Sequence, residues 1–537
     1  MTKFLNIYAM GGIEEIGANC TAYWNDDLCF FVDYGICLQN IDDITPYNGY
    51  YMDLVPFLKK INQKTINIVI THCHEDHVGG IAYIHNQIKE LKANNININI
   101  YVSSTFNQKV VIGKCHKSLN EIKINIINAS NNQYFYIGNV KLKFLKVDHS
   151  ALECNGVLIE YQNKKIFHTG DWRFKYLIKN LDQLSNSDTY QTMLKIKKCD
   201  IIVGESTKFN DINVANTEQD VENELSKIIQ DLSKKQIDII ITMFSSNMIR
   251  LKNIIKIAIK YEQKISYMSY TLKNYISISN QTNQFTSQEY SVLKHENSIE
   301  KLLKSKNKIK IVSGCQNEYN STLNKIAYNP KNAQFIKKGT TVIFSATAIP
   351  SSKKRIEHLH RKLDDCGINV IDSDSNNFVH TSGHALPSDM YFMYKKLEPK
   401  YLIPIHGNIL KIKSHVKLAQ SLQIQPLMPK KNKYIQFIFQ ENNLTHKEFI
   451  IYFPIKKKYI LDRKTFNEED PVIQERKNLI VGGAIFICKA TNIIHCIGAK
   501  IGYKDTQTIL LCLKNNKDAN YIKTTIGFQG EIIISEN

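Results

Sequence analysis

The chain has 537 residues, too many for one ordinary core, and two to four domains are expected at roughly 100–200 residues each. With 43% hydrophobic and 22% charged residues it is neither a disordered nor a fibrous chain, and no run reaches the roughly 18 apolar residues of a membrane span. The net charge is +19, from 69 lysines and arginines against 50 acids, and a basic surface of that size concentrates phosphate-bearing ligands.

Only Arg173, Arg250, Arg355, Arg361, Arg463 and Arg476 are arginines, so lysine carries almost all of the basic charge. Lysine, asparagine and isoleucine are abundant together, as AT-rich coding would also produce, so charge alone leaves a nucleic-acid partner open. The 12 cysteines are scattered with no C-x-x-C pair, which argues against a zinc ribbon, a thioredoxin-type motif or a disulfide scaffold. Asn6, Gly11-Gly12 and Glu14-Glu15 interrupt the apolar start, so a secretory signal is not expected. A reducing, cytoplasmic setting is the expectation, with no membrane partner.

Along the first 200 residues the chain reads as strands, turns and a few helices. Cys20 to Trp24 and Leu28 to Asp33 are strand-like around an Asn25-Asp26-Asp27 turn. Ile66 to Thr71 is a short apolar strand, and Val78 to Lys92 has helical apolar spacing. Gly156 to Tyr161 and Lys165 to His168 form a hairpin-like pair. Beyond Ser206 strands and helices alternate: helix over Thr217–Gln236, strand over Ile237–Phe244, helix over Asn247–Glu262, strands over Lys308–Ser313 and Thr340–Ser345, helix over Ser351–Cys366. That alternation predicts a parallel α/β layer. A short strand, Tyr401 to His406, ends in His-Gly. Pro426, Pro429, Lys430, Lys431 and Lys433 suggest a surface connection, and a strand-rich region follows from about Lys447.

Chemistry concentrates at Thr71-His72-Cys73-His74-Glu75-Asp76-His77. Imidazoles and carboxylates are the donors that zinc or a similar divalent ion takes. A loop leaving a strand end can turn His72 and His74 toward one ion, and Asp76 and His77 toward a second. The competing reading, a histidine-rich surface loop, does not account for this spacing at a strand end.

The motif resembles the metallo-β-lactamase superfamily. Val147-Asp148-His149-Ser150, Phe167-His168-Thr169-Gly170-Asp171 and Ile403-Pro404-Ile405-His406-Gly407 extend the match in order. Four further strings narrow it: Val203-Gly204-Glu205-Ser206-Thr207, Met243-Phe244-Ser245-Ser246-Asn247, Ser313-Gly314-Cys315-Gln316-Asn317-Glu318 and His380-Thr381-Ser382-Gly383-His384-Ala385. Together these are similar to the β-CASP nucleases, and specifically to ribonuclease J. The resemblance runs from about Gly11 to Gln423. A weaker tail match, Tyr459-Ile460-Leu461-Asp462-Arg463 to Glu475-Arg476-Lys477, extends it to about Ile487.

The resemblance implies an α/β protein: a metallo-β-lactamase αββα sandwich, an inserted β-CASP parallel α/β domain, and a small strand-rich C-terminal domain. The implied divisions are 1–205 and 376–440 for the split catalytic domain, 206–375 for the insertion and 441–537 for a linker and the tail. It implies two Zn2+ ions, with Mn2+ or Mg2+ as substitutes. One ion takes His72, His74 and His149, the other Asp76, His77 and His406, and Asp171 bridges. Asp33, in Phe-Val-Asp-Tyr-Gly, matches the family's ligand-orienting aspartate, against the plainer reading of a strand-end turn residue. The family's candidate proton donor is His384, with Glu205 holding it. His380, Ser382 and Gly383 belong to its phosphate-binding strand. Ser245, Ser246 and Asn247 offer donors to a nucleotide, and Ser-Ser-Asn also reads as a helix N-cap.

The implied function is a two-metal ribonuclease, endonuclease and 5′→3′ exonuclease, acting on single-stranded RNA in maturation and decay. An RNA-binding scaffold with reduced turnover and a β-CASP nuclease acting on DNA stand as alternatives. Three departures bear on 5′-end preference and on the balance of exo- and endonuclease activity: Asn317 where the family has Gly, Asn408 where it has Glu, and Ser351-Ser352-Lys353 where it has Gly-Asn-Glu. A homodimer is left open, because Lys514 to Asn537 gives the family's C-terminal helices little room.

Overall fold

The computed structural model of the protein describes residues 3–38, 48–62, 65–91, 97–115, 124–128, 132–178, 181–209, 216–349, 352–373, 378–440, 443–452, 455–461 and 464–474, and shorter pieces from 477 to 535. Pro350, Ser351, Asp462, Arg463, Glu475, Arg476 and most of the chain after Lys514 lie outside them, and with them part of the expected tail match and of the Ser351-Ser352-Lys353 departure. The chain divides into two compact units, Met1–Cys37 with Leu54–Ile455, and Leu38–Asp53 with Lys456–Asn537.

Two mixed sheets build the first half of the larger unit. Among the described residues one sheet has eight strands, with Asn443–Ile450, Lys433–Gln440, Lys3–Gly11, Cys20–Trp24, Cys29–Val32, Thr65–Val69, Asn97–Val102 and Ile124–Asn128 as neighbours in that order. The other has seven: Gln425–Pro426, Tyr401–Ile405, Ile201–Glu205, Lys164–His168, Asn155–Tyr161, Val140–Lys146 and Tyr134–Ile137. Val140-Lys141-Leu142-Lys143-Phe144 shows why such strands form: Val140, Leu142 and Phe144 point inward while the lysines face outward, a period of two. The inner faces share one apolar core, where Leu5, Ile7, Phe30 and Val69 meet Leu142, Phe144, Val157 and Ile403.

Central strands of the second sheet are buried on both faces. Ile166, Ile201 and Ile403 face the first sheet, while Phe167, Ile202 and Leu402 pack against Met193, Met390, Leu397 and Ala419 of three outer helices, Asp188–Ile196, Pro387–Leu397 and Ile409–Ser421. On the far side of the first sheet, Phe31 meets Phe57 of the helix Val55–Ile61 edge to face at 5.7 Å. The layers are therefore αββα. The Pro426–Lys433 stretch, expected as a surface connection, is partly strand: Gln425 pairs with Tyr401, and Lys433 opens a strand antiparallel to Lys3–Gly11. Its apolar residues Ile435, Phe437 and Phe439 complete the core, which explains the pairing. The strand Asn443–Ile450 extends the same sheet past residue 441.

Between Glu205 and Ser382 lies the insertion. Among the described residues its six strands are all parallel: Leu293–His295, Ile265–Met268, Ile309–Val312, Ile239–Thr242, Thr341–Phe344 and Asn369–Ile371. The central Ile239-Ile240-Ile241-Thr242 is wholly buried, as a strand covered by helices on both faces must be. Arg250, buried in the helix Met248–Lys260, donates to Glu218 at 2.8 and 3.0 Å and to the carbonyl of Val379 at 3.0 Å, tying this layer to the chain that returns to the two mixed sheets. Asn317 has φ of 51°, the left-handed region where Gly is easiest and Asn is the common alternative, so the substitution fits the backbone.

In the smaller unit, Lys457–Leu461 pairs antiparallel with Gly49–Met52 and with Lys464–Phe466. Ala484–Cys488 lies between Ile493–Ile497 and Glu531–Ser535. No helix among the described residues is long and apolar enough to cross a membrane.

Candidate metal centre

Every candidate ligand sits where a strand ends. The strand Thr65–Val69 runs out into Thr71–His74, and a short helix, Glu75–Val78, begins three residues before the predicted helix start. His74 stands at the N-cap of that helix, while Asp76 and His77 lie within it. A 3-10 turn, Gly79–Tyr83, links it to Ile84–Leu91, so the predicted single helix is broken. The break comes from close packing against residues 34–36. A Cβ on Gly35 would fall 1.8 Å from the Asp76 carbonyl oxygen, so glycine is required there. His149 follows the strand Val140–Lys146, Asp171 follows Lys164–His168, and His406 follows Tyr401–Ile405.

These strand ends converge. One atom each from His72, His74, His149 and Asp171 lies within 4.8 Å of the others, and the same holds for Asp76, His77, Asp171 and His406. Asp171 belongs to both groups and is buried at 1% exposure. Its Oδ2 is 3.2 Å from His77 Nε2 and 3.8 Å from both His72 Nε2 and His149 Nε2, and its Oδ1 is 3.1 Å from His406 Nδ1. On the other side of His406, Nε2 is 3.1 Å from Asp76 Oδ2.

Donor chemistry and satisfaction both fit a divalent cation. His72 Nε2 and both Asp171 oxygens are buried without a hydrogen bond of good geometry, an arrangement that costs free energy unless a ligand satisfies it. Burial and the neighbouring imidazoles hold His72 and His149 well below the usual histidine value, and burial takes His74 to about 4. All three are neutral lone-pair donors at pH 7. His406 behaves oppositely. Burial lowers it, but Asp171 and Asp76 outweigh burial and raise it to about 10, a measure of the negative field at this spot. The cysteine of the motif faces away: burial pushes the Cys73 thiol up to about 12, and its Sγ lies 3.4 Å from Asn107 Oδ1.

Asp33 sits at a strand-end turn and also reaches a candidate ligand. It has φ of 63°, and its carboxylate accepts from the Thr71 N–H at 2.8 Å and hydroxyl at 2.9 Å and lies 2.7 Å from His77 Nδ1. That contact aims His77 Nε2 at Asp171. His384 Nδ1 is 2.7 Å from Glu205 Oε2, while Glu205 Oε1 accepts the Trp172 N–H at 2.9 Å. His384 is also within reach of Asp171 and His406, in a third cluster with Glu205.

The other predicted contacts are more dispersed. The carbonyl of Gly383 lies 2.6 Å from His149 Nδ1 and leaves Nε2 to face the site. The Ser382 hydroxyl accepts the His384 N–H at 3.2 Å. His380 Nδ1 is buried without a hydrogen-bond partner, and its carbonyl accepts from Asn216 at 2.9 Å. Ser245 and Ser246 are half-buried after the strand Ile239–Thr242, with the Ser245 hydroxyl 3.3 Å from that of Ser269. Asn247 caps the next helix, its Oδ1 accepting the Arg250 N–H at 3.0 Å. Asn408 likewise caps Ile409–Ser421, accepting from Lys411 N–H at 3.0 Å.

Sequence reasoning missed residues whose partners are remote in the chain. The Thr207 hydroxyl is 2.8 Å from His406 Nδ1. Arg173 donates to Thr381 Oγ1 at 2.9 Å, to the Ser382 carbonyl, and to the Asn216 carbonyl at 2.9 Å, pinning the segment that carries Gly383 and His384, which is irregular backbone rather than the expected strand. Thr207 stood in a quoted motif, but nothing local marked its partner. Gly383→Ala tests the Gly383 contact. The added Cβ would meet His149 Cε1 and Ser150 Oγ at 2.8 Å and His149 Nδ1 at 2.9 Å; the hydroxyl can rotate away, but the buried imidazole must shift. Metal affinity, followed with a chromophoric chelator, is expected to fall roughly tenfold, as when a ligand's outer partner is lost; unchanged affinity would mean that this contact does not position His149.

Comparison with known proteins follows this geometry. Residues 236–363 match the family model described as Ribonuclease J, beta-CASP domain, and residues 372–429 match the Zn-dependent metallo-hydrolase RNA specificity domain. Residues 57–200 match a model of the anti-Pycsar protein Apyc1. Ribonuclease J of Mycoplasma genitalium is 25% identical over 487 residues, 89% of this chain and 80% of that protein. Ribonuclease J 1 of Streptococcus pyogenes is 28% identical over 447 residues, 80% of this chain and 73% of that protein. In fold, a protein of unknown function from Enterococcus faecalis V583 superposes with a TM-score of 0.53 at 14% identity, over 82% of this chain and 100% of that one. The matches and the αββα layers with their parallel insertion bear out the resemblance read from the motifs: this is a ribonuclease J-like chain of metallo-β-lactamase architecture with an inserted β-CASP domain.

Proposed function

We propose that the protein is a metal-dependent ribonuclease that hydrolyses phosphodiester bonds of single-stranded RNA, as endonuclease and 5′→3′ exonuclease, with two zinc ions as its cofactors. The observation that carries this reading is the convergence of His72, His74, His149, Asp76, His77 and His406 around the doubly shared Asp171. In this reading the catalytic domain is split, 1–205 and 376–440, around the insertion at 206–375, and 441–537 forms the tail.

His72, His74 and His149 would hold one cation and Asp76, His77 and His406 the other, with Asp171 within reach of both groups. Bound there, such a pair would supply a nucleophile from water near neutral pH and offset charge on the phosphoryl oxygens. The chain's own residues do the rest. Asp33 keeps His77 aimed, the Gly383 carbonyl keeps His149 aimed, and Thr207 braces His406. His384 presents Nε2 to the leaving 3′ oxygen, because Glu205 occupies Nδ1. Burial opposes the imidazolium, but Glu205 and Asp171 outweigh it and hold His384 above its usual value, the direction a proton donor needs. Ser382, His380, Ser245 and Ser246 contact flanking phosphates, and the N-terminus of the helix capped by Asn247 adds backbone donors.

Labelled single-stranded RNA and DNA bearing 5′-phosphate, triphosphate or hydroxyl ends test the proposal. Cleavage of RNA with DNA spared is the expected result, and cleavage of DNA alone would overturn it. The same samples report how Asn317, Asn408 and Ser351-Ser352-Lys353 shape 5′-end preference. RNA affinity is also expected to fall steeply with salt, because lysine–phosphate contacts release counterions. A flat salt response would remove the role of the +19 charge in substrate capture.

A further inference from the structure

We propose that Tyr275, on the helix Tyr270–Gln281 of the inserted domain, is a positioning residue for the metal centre, its hydroxyl holding the Cys73 carbonyl between His72 and His74. The inference rests on reading that site as a metal centre and adds a second role for the insertion besides contact with RNA.

The Tyr275 hydroxyl donates to the Cys73 carbonyl oxygen at 2.9 Å, and the pair is buried. Burial pushes the phenol well above its usual value, so the donor keeps its proton. The carbonyl belongs to the peptide that joins Cys73 to His74. Turning that peptide re-aims the His74 imidazole, whose Nδ1 is 3.2 Å from His149 Nε2. The catalytic half supplies the opposite anchor. Cys73 Sγ lies 3.4 Å from Asn107 Oδ1, and Asn107 Nδ2 donates to the Glu153 carbonyl at 2.9 Å. The loop between the first two candidate ligands is thus held on one side by its own domain and on the other by the insertion.

The insertion is docked where this contact is made. The rings of Tyr275 and Phe106 stack with centroids 6.4 Å apart, Lys109 Nζ donates to Gln281 Oε1 at 3.2 Å, and Gln284 Nε2 donates to Glu153 Oε1 at 3.3 Å. Phe106 and Lys109 lie on the helix Thr105–Cys115, which follows the strand beside that of the ligand loop. A shift of the inserted helix therefore reaches the ligand loop through one hydroxyl. Tyr275→Phe keeps the ring and its stacking and removes only that hydroxyl, leaving the Cys73 carbonyl buried without its donor.

The test uses the full chain loaded with Co2+ for absorption and with Zn2+ for release to a chromophoric chelator. Wild type is expected to take up two equivalents. Tyr275→Phe is expected to release one of them roughly tenfold faster and to shift the cobalt ligand-field bands. Its kcat should fall several-fold with KM for RNA within about twofold. Gln281→Ala, which removes one exposed contact of the same helix and leaves the Tyr275 hydroxyl on the Cys73 carbonyl, is expected to leave spectrum and release unchanged. A Tyr275→Phe protein with wild-type bands and release overturns the role of Tyr275, even if its thermal stability drops. A wild-type protein that binds no cobalt overturns the metal reading itself, and the role of Tyr275 with it.

Discussion

In the Asp76→Ala/His77→Ala double variant, RNA cleavage is expected to fall by about 10³-fold or more while much of the RNA binding persists. The two side chains are half of one proposed cation site. Asp76 Oδ2 lies 3.1 Å from His406 Nε2 and His77 Nε2 lies 3.2 Å from Asp171 Oδ2, so their loss leaves only His406 and Asp171 at that end. The inserted layer and its Arg250 clamp are remote in the chain from both substitutions, which is why binding is expected to survive. Asp33 loses its His77 partner but keeps both Thr71 contacts, and a circular dichroism spectrum checks that the sheets remain. Undiminished cleavage in this variant would end the two-metal account.

His384→Ala is expected to lower kcat by about 10²-fold without emptying the metal site, the size of effect typical of a lost general acid. The pH dependence should change in a defined way. His384 must be protonated to serve the leaving oxygen, so wild-type kcat/KM should decline as pH rises through its raised value, and the variant should lose that decline. The competing role is concrete, because His384 also clusters with Asp171, Glu205 and His406. Metal analysis separates the two: retained zinc supports the proton donor, and loss of one equivalent makes His384 a ligand.

What could be read from the chain depended on how local each signal was. His72, His74, Asp76 and His77 lie within one loop and short helix, so their spacing alone announced a metal site. The apolar run within Ile237–Phe244 likewise marked a covered parallel strand, which the structure has over Ile239–Thr242. The helix expected from Val78 began at Glu75 and broke at Gly79, because residues 34–36 pack against its backbone and no apolar period records that contact. Asp33 was ambiguous as a turn residue until its bonds to Thr71 and His77 were visible. Thr207, Arg173 and the Gly383 carbonyl were illegible for one physical reason: each acts on a group about 200 residues away or more, and two of the three contacts involve a main-chain carbonyl. The prolines and lysines of Pro426–Lys433 read as a surface connection, and no reading was made of the strand Lys433–Gln440 behind them, whose Ile435, Phe437 and Phe439 fill the core.

The central claim is metal-assisted hydrolysis of RNA, and the chemistry of the product ends tests it most directly. Purified protein is incubated with an internally labelled single-stranded RNA, with and without a chelator, and the new termini are identified. The account predicts 5′-phosphate and 3′-hydroxyl ends, formed only without chelator and restored by added zinc. Products ending in 2′,3′-cyclic phosphate, or cleavage that continues in excess chelator, would contradict it.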